Sequence, residues 1–94
     1  MIVIVAYDIS REEVRGVLRR YLAKMDFSII DRSVNAGVGG RKPAERVAER
    51  AKGVVEPGDH RLFIIVVKEN EYFGALTVTS MGVGTVGGRG YELP

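Results

Sequence analysis

Two stretches of this 94-residue chain, IVIVAY at 2–7 and LFIIVV at 62–67, are apolar at every position. Side chains alternate across a strand, so Ile2, Ile4 and Ala6 share one side of a sheet while Val3, Val5 and Tyr7 share the other. LFIIVV is apolar on both sides in the same way. Strands of this kind belong to a sheet that is covered front and back. No other feature limits the fold as much, because one domain of this length has few elements with which to cover two faces.

The segments between supply two helices. Ser10 followed by Glu13 has the spacing of a capping box, and Val14, Val17, Leu18, Tyr21, Leu22 and Met25 fall at i, i+3, i+4, i+7, i+8 and i+11. This spacing predicts a helix with one buried face, which Gly16 weakens by up to about 1 kcal/mol without breaking it. FSIIDRSV at 27–34 is β-prone, and NAGVGG after it reads as a glycine-rich turn or a short, weak strand. Pro43 suits the first position of a second helix, with Ala44, Val47, Ala48 and Ala51 as its apolar stripe and Gly53 at its close. EPGD at 56–59 is turn chemistry, and FGALTVTSM at 73–81 reads as a further strand.

The expected architecture is α+β: a ferredoxin-like βαββαβ domain over residues 1–80 with an extra C-terminal strand, and a glycine-rich tail or edge strand over 81–94. Two helices cover one face of such a sheet. About six large residues on the other face would each forgo about 1.5–3 kcal/mol of burial if left in water. Together they would exceed the apolar patch that a monomer usually exposes. A two-fold homodimer packed sheet on sheet is therefore expected.

Composition narrows the function classes. The chain has no cysteine, which excludes a disulfide framework, a thiolate metal site and a cysteine nucleophile and suits the cytoplasm. No apolar run approaches the roughly 18 residues of a membrane span, so no membrane partner is expected. His60 is the single histidine, which excludes several histidine ligands on one chain and argues against a Ser-His-Asp triad. The net charge of +2 says little, but Arg11, Arg15, Arg19, Arg20 and Lys24 face only Glu12 and Glu13 along the first helix. That helix presents either a solvated face or a surface for DNA or RNA phosphates. GVGGRK at 37–42 lacks the P-loop spacing, though Arg41 and Lys42 are candidates for a backbone-phosphate contact. GVGTVG at 82–87 fits a dinucleotide fingerprint only in its glycines, because no helix has room to follow it. Tyr72 and Phe73 suit an interface or core better than base stacking.

Asp8 closes the first strand just before a helix start. One reading is that it begins the turn, accepting backbone N–H bonds beside the Ser10 cap. The other is a hard-cation ligand. Mg²⁺ usually takes one or two carboxylates with water and phosphate, so one Asp8 per chain is a poor site and two across a dimer axis a better one.

VIVAYDIS, the basic helix with Arg15 seven residues past Asp8, DRSVNAG and DHRLFIIVV together resemble the Cas-two family, the small subunit of the CRISPR spacer-acquisition machinery. The likeness runs over roughly residues 1–68. Tyr7, Asp8, Ser33, Val34 and Asp59 match the family pattern, whereas Asp31 stands in place of a usual glutamine and Asn35 in place of a common aromatic residue. The resemblance implies a ferredoxin-like homodimer, often with its C-terminal strand on the partner's sheet, that bridges dimers of the CRISPR integrase subunit. It also implies a nucleic-acid scaffold of adaptation, in some relatives a metal-dependent nuclease. Asp8 is then the candidate catalytic residue and Mg²⁺ ligand, Tyr7 and Ser10 are its neighbours, and Arg11, Arg15 and Arg19 are candidates for nucleic acid. A ferredoxin-like regulatory domain binding a small anion in its glycine-rich loops is the alternative.

Overall fold

Strand-forming residues at both ends of the domain meet at its centre. The structure, a computed structural model, describes residues 1–55 and 60–88. Along the chain come β1 (Ile2–Asp8), α1 (Glu12–Lys24), β2 (Ser28–Asp31), β3 (Val34–Val38), α2 (Arg41–Val55) and β4 (Arg61–Val67). After these come α3 (Glu69–Phe73), β5 (Leu76–Thr79) and β6 (Gly82–Thr85). The first four strands form one antiparallel sheet in the order β2-β3-β1-β4. This is the ferredoxin-like order expected from the sequence. β1 is central, pairing Val5 with Asn35 on one side and with Ile64 on the other.

The core lies between this sheet and the two long helices. Val3, Val5 and Tyr7 of β1 meet Leu18 and Leu22 of α1 and Ala44, Val47 and Ala51 of α2, with Leu62, Ile64 and Val66 of β4 partly buried against them. Val17, expected in the apolar stripe of α1, is exposed instead. The helix ends in a Schellman arrangement: the N–H of Phe27 bonds the carbonyl of Leu22 at 2.9 Å, and that of Asp26 bonds Ala23 at 3.0 Å. Asp26 takes the left-handed conformation with φ 63°, a role usual for glycine and tolerated by aspartate. The chain is thereby turned so that the Phe27 ring enters the core.

The opposite sheet face has no long helix over it. Val38 is 79% exposed, Phe63 62% and Ile65 50%. The short helix α3 was not anticipated. Its Tyr72 and Phe73 border a pocket of about 260 Å³ with Ile2, Ile30, Ala36 and Val38 at the end of the sheet remote from Asp8. The further strand expected within 73–81 is β5, which pairs with β6 as a separate two-stranded sheet, and their ladder runs from Thr79–Gly82 to Leu76–Thr85.

Several local expectations are corrected. NAGVGG takes the second of its two expected forms, a short strand: Asn35–Val38 belong to β3, an inner strand of the sheet, and not to a turn. The glycine there answers a packing demand, because a Cβ on Gly37 would come within 2.6 Å of Phe27 Cδ1. We expect Gly37→Ala to cost about 1–3 kcal/mol by overpacking, read as a lowered midpoint in urea unfolding at unchanged slope. α2 begins at Arg41, which places Pro43 at its third residue, and it runs through Gly53 to Val55. Ala48 is exposed rather than part of the buried stripe. The Ser10 capping box does not form: Arg11 occupies the N-cap of α1, with no side-chain cap bond. EPGD and Asp59 lie outside the described residues. Among the described residues no helix is long and apolar enough to cross a membrane.

Candidate functional site

The carboxyl end of β1 sends consecutive residues to opposite sides of the sheet. Tyr7 points into the helix-covered core and is buried. Its hydroxyl donates to Asn35 Oδ1 at 2.8 Å and accepts from Arg19 Nε at 3.1 Å. Asn35 is 1% exposed, so this is an interior polar network held by satisfied hydrogen bonds. Arg19 also donates to the carbonyl of Arg32, in the β2–β3 turn, and its guanidinium stands 6.0 Å from the Tyr7 ring centroid. The turn is tied to β1 by the Tyr7 N–H, which bonds the Ser33 carbonyl at 2.9 Å. Arg15, one turn before Arg19, donates to the Ile9 carbonyl at 2.6 Å. Arg15, Arg19, Arg32 and Ser33 thereby border a cleft of about 430 Å³.

By strand alternation Asp8 belongs to the side of Ile2, Ile4 and Ala6, the helix-free face. It is exposed, at the last step of the β1–β4 ladder opposite Arg61. Its carboxylate makes no hydrogen bond or ion pair among the described residues. Of the two readings of this residue, the turn-capping one therefore has no bond to support it. Ser10 is exposed beside it and caps nothing. Among the described residues no three carboxylate or imidazole groups gather as a metal site. Asp8 brings one carboxylate to this end of the sheet, and a second copy of the chain would bring another.

The remaining candidates are dispersed. Arg11 is paired with Glu13 at 2.6 Å, and the Glu13 carboxyl is held below its usual range, first by a backbone hydrogen bond and then by Arg11. That pairing holds above the ordinary carboxylate range and weakens as pH falls through the lowered value. Arg41 pairs with Glu45 at 3.0 Å, and Lys42 lines a surface hollow with Glu45, Arg46 and Glu49. Both follow β3, whose end at Val38 pairs with Ile2, so they sit at the other end of the sheet from Asp8, about 20 Å away at about 3.4 Å per residue. Of the glycine-rich segments, Gly37 lies in β3 and Gly82–Thr85 in β6, while Gly39 and Gly40 link β3 to α2. Asp31 accepts the Arg32 N–H at 2.7 Å. Sequence reasoning missed Arg32. It lies inside FSIIDRSV, which reads as one β-prone run, whereas the structure turns the chain at residues 32–33 and so carries Arg32 back to the end of β1.

Residues 1–74, which contain β1 through α3 with Asp8 and the arginine cleft, match the family model described as CRISPR associated protein Cas2. The chain belongs to the Cas2 family. A curated relative from Thermofilum pendens (strain DSM 2475 / Hrk 5), named CRISPR-associated endoribonuclease Cas2, is 52% identical over 93 residues, covering 99% of each chain. The β5–β6 hairpin lies beyond the Cas2 model but within the span shared with that relative.

Proposed function

We propose that this Cas2-family chain is a nucleic-acid-binding subunit of CRISPR adaptation, acting as a homodimer beside the integrase subunit, with a Mg²⁺-dependent endonuclease site shared between two copies. One observation carries the reading: an unpartnered carboxylate, Asp8, stands at the rim of an exposed apolar sheet face and next in sequence to the residue that anchors the arginine cleft. The name of the Thermofilum pendens relative, an endoribonuclease, supports nuclease chemistry.

Packing the helix-free faces together would bury Phe63, Ile65 and Val38 and bring the two β1 ends toward a common axis. Two Asp8 carboxylates could then hold one hydrated Mg²⁺, which when bound supplies a Lewis acid and an activated water. The chain's own residues do the rest. Arg15, Arg19 and Arg32 attract and orient the strand by its phosphates, and the apolar interface keeps the carboxylates in register. Charge steers the substrate while the sheet fixes the geometry.

The reading is tested by titrating duplex and single-stranded oligonucleotides at several salt concentrations. Log affinity should fall linearly with log salt, with a slope of about −0.9 per duplex phosphate neutralised. Absence of binding at low salt would remove the proposal.

A further inference from the structure

The arginine cleft is built differently from an ordinary basic surface. Surface arginines are usually solvated and variable in rotamer, or paired as Arg11 and Arg41 are here. Arg15 and Arg19 are instead fixed by the protein's own interior and backbone. Arg19 is held by a buried tyrosine hydroxyl, itself held by a buried asparagine, and by the Arg32 carbonyl. Arg15 is held by the Ile9 carbonyl. None of Arg15, Arg19 and Arg32 forms an ion pair among the described residues, and the nearest acid along α1, Glu13, is engaged by Arg11.

Three guanidinium groups at one cleft concentrate positive charge, which a bound anion would offset. A guanidinium has five N–H donors. The hydrogen bonds just described use two from Arg19 and one from Arg15, so most of the donors remain for a ligand. A phosphodiester brings one charge and two unshared oxygens. A phosphate monoester brings about −1.5 to −2 and three strong acceptor oxygens. The monoester matches the cleft better in both charge and acceptor count, and Ser33 at the border adds a hydroxyl donor.

We propose that the Arg15–Arg19–Arg32 cleft binds the terminal phosphate monoester of a nucleic-acid strand, with Tyr7 and Asn35 as positioning residues that hold Arg19 toward it. The proposal rests on the nucleic-acid reading above and adds the part of the strand that is recognised.

The test is fluorescence anisotropy on the full chain with one short oligonucleotide in three forms: 5′-phosphorylated, 3′-phosphorylated, and hydroxyl at both ends. One phosphorylated form should bind about tenfold more tightly than the hydroxyl form, the scale of one charge-assisted contact. In Arg32→Gln, at an exposed position that should not disturb folding, the preference should collapse toward unity, because the phosphorylated form loses more affinity than the hydroxyl form, which weakens only by its share of the backbone-phosphate contact. Tyr7→Phe keeps every charge but removes one of the two hydrogen bonds that hold Arg19, leaving the one to the Arg32 carbonyl, and should lose several-fold of the same preference. Equal binding of all three forms by the native chain would overturn the terminal-phosphate site and leave the nucleic-acid role standing. Failure of all three to bind would overturn both. A preference unchanged in Tyr7→Phe would overturn the positioning role of Tyr7 and Asn35.

Discussion

Phe63→Asp should convert a dimer into a monomer. Phe63 and Ile65 pair across β1 and β4 with Ala6 and Ile4 on the helix-free face, and they are 62% and 50% exposed. A phenylalanine that gains full burial contributes about 1.5–3 kcal/mol, and a two-fold interface counts it twice. The aspartate would also place an unpaired charge in an apolar interface, at a cost of several kcal/mol. Together these exceed about 3 kcal/mol, more than a hundredfold in the dimer dissociation constant. Sedimentation velocity at micromolar concentration should show the shift directly. The monomer should keep its melting temperature within a few degrees, since position 63 is outside the helix-covered core. A native protein that is already monomeric, or a variant that dimerises undiminished, would remove the sheet-on-sheet arrangement and the shared carboxylate site with it. Cleavage should disappear with the dimer, because each chain has only one Asp8.

Asp8→Ala should reduce Mg²⁺-dependent cleavage to background while leaving fold and binding in place. The Asp8 carboxylate bonds nothing among the described residues, so its removal should move stability by no more than about 0.5 kcal/mol. Removing a negative charge beside a phosphate-binding cleft should hold or raise oligonucleotide affinity. This pairing of lost cleavage with retained binding separates a ligand role from a structural one. Freshly purified native and variant dimers would be compared with a labelled strand, with and without Mg²⁺. Equal cleavage by both would place the activity at another site or in a contaminant.

The two predictions draw on different kinds of information. The apolar face behind Phe63→Asp was legible from alternation alone, because a strand that is apolar at consecutive positions must be apolar on both sides. Asp8 was legible as a lone acid ending such a strand, and its place on the helix-free side follows from counting by two from Ile2. Its freedom from capping was not legible. Ser10 and Glu13 have the spacing of a capping box, yet α1 starts later, at Glu12, after Arg11 takes the N-cap and pairs with Glu13.

In the sequence the middle section stays open between a turn and a short, weak strand for a physical reason. Glycine and asparagine are costly in strands, so propensity alone does not decide NAGVGG. Here Gly37 makes room for the Phe27 ring, and Asn35 is buried against the Tyr7 hydroxyl. Both residues are where they are because of partners distant in sequence. The same holds for α3, whose Tyr72 and Phe73 border a pocket with Ile2 and Val38.

From the chain alone came the need for cover on two faces, the order of strands and helices, and the acid that ends the first strand, since these depend on repeats within short segments. The gathering of Arg15, Arg19 and Arg32 around a buried tyrosine was decided by tertiary structure. It depends on the β2–β3 turn reaching the end of β1 and on α1 lying across Tyr7, and only the register of paired strands and the packing of a helix on them set those distances.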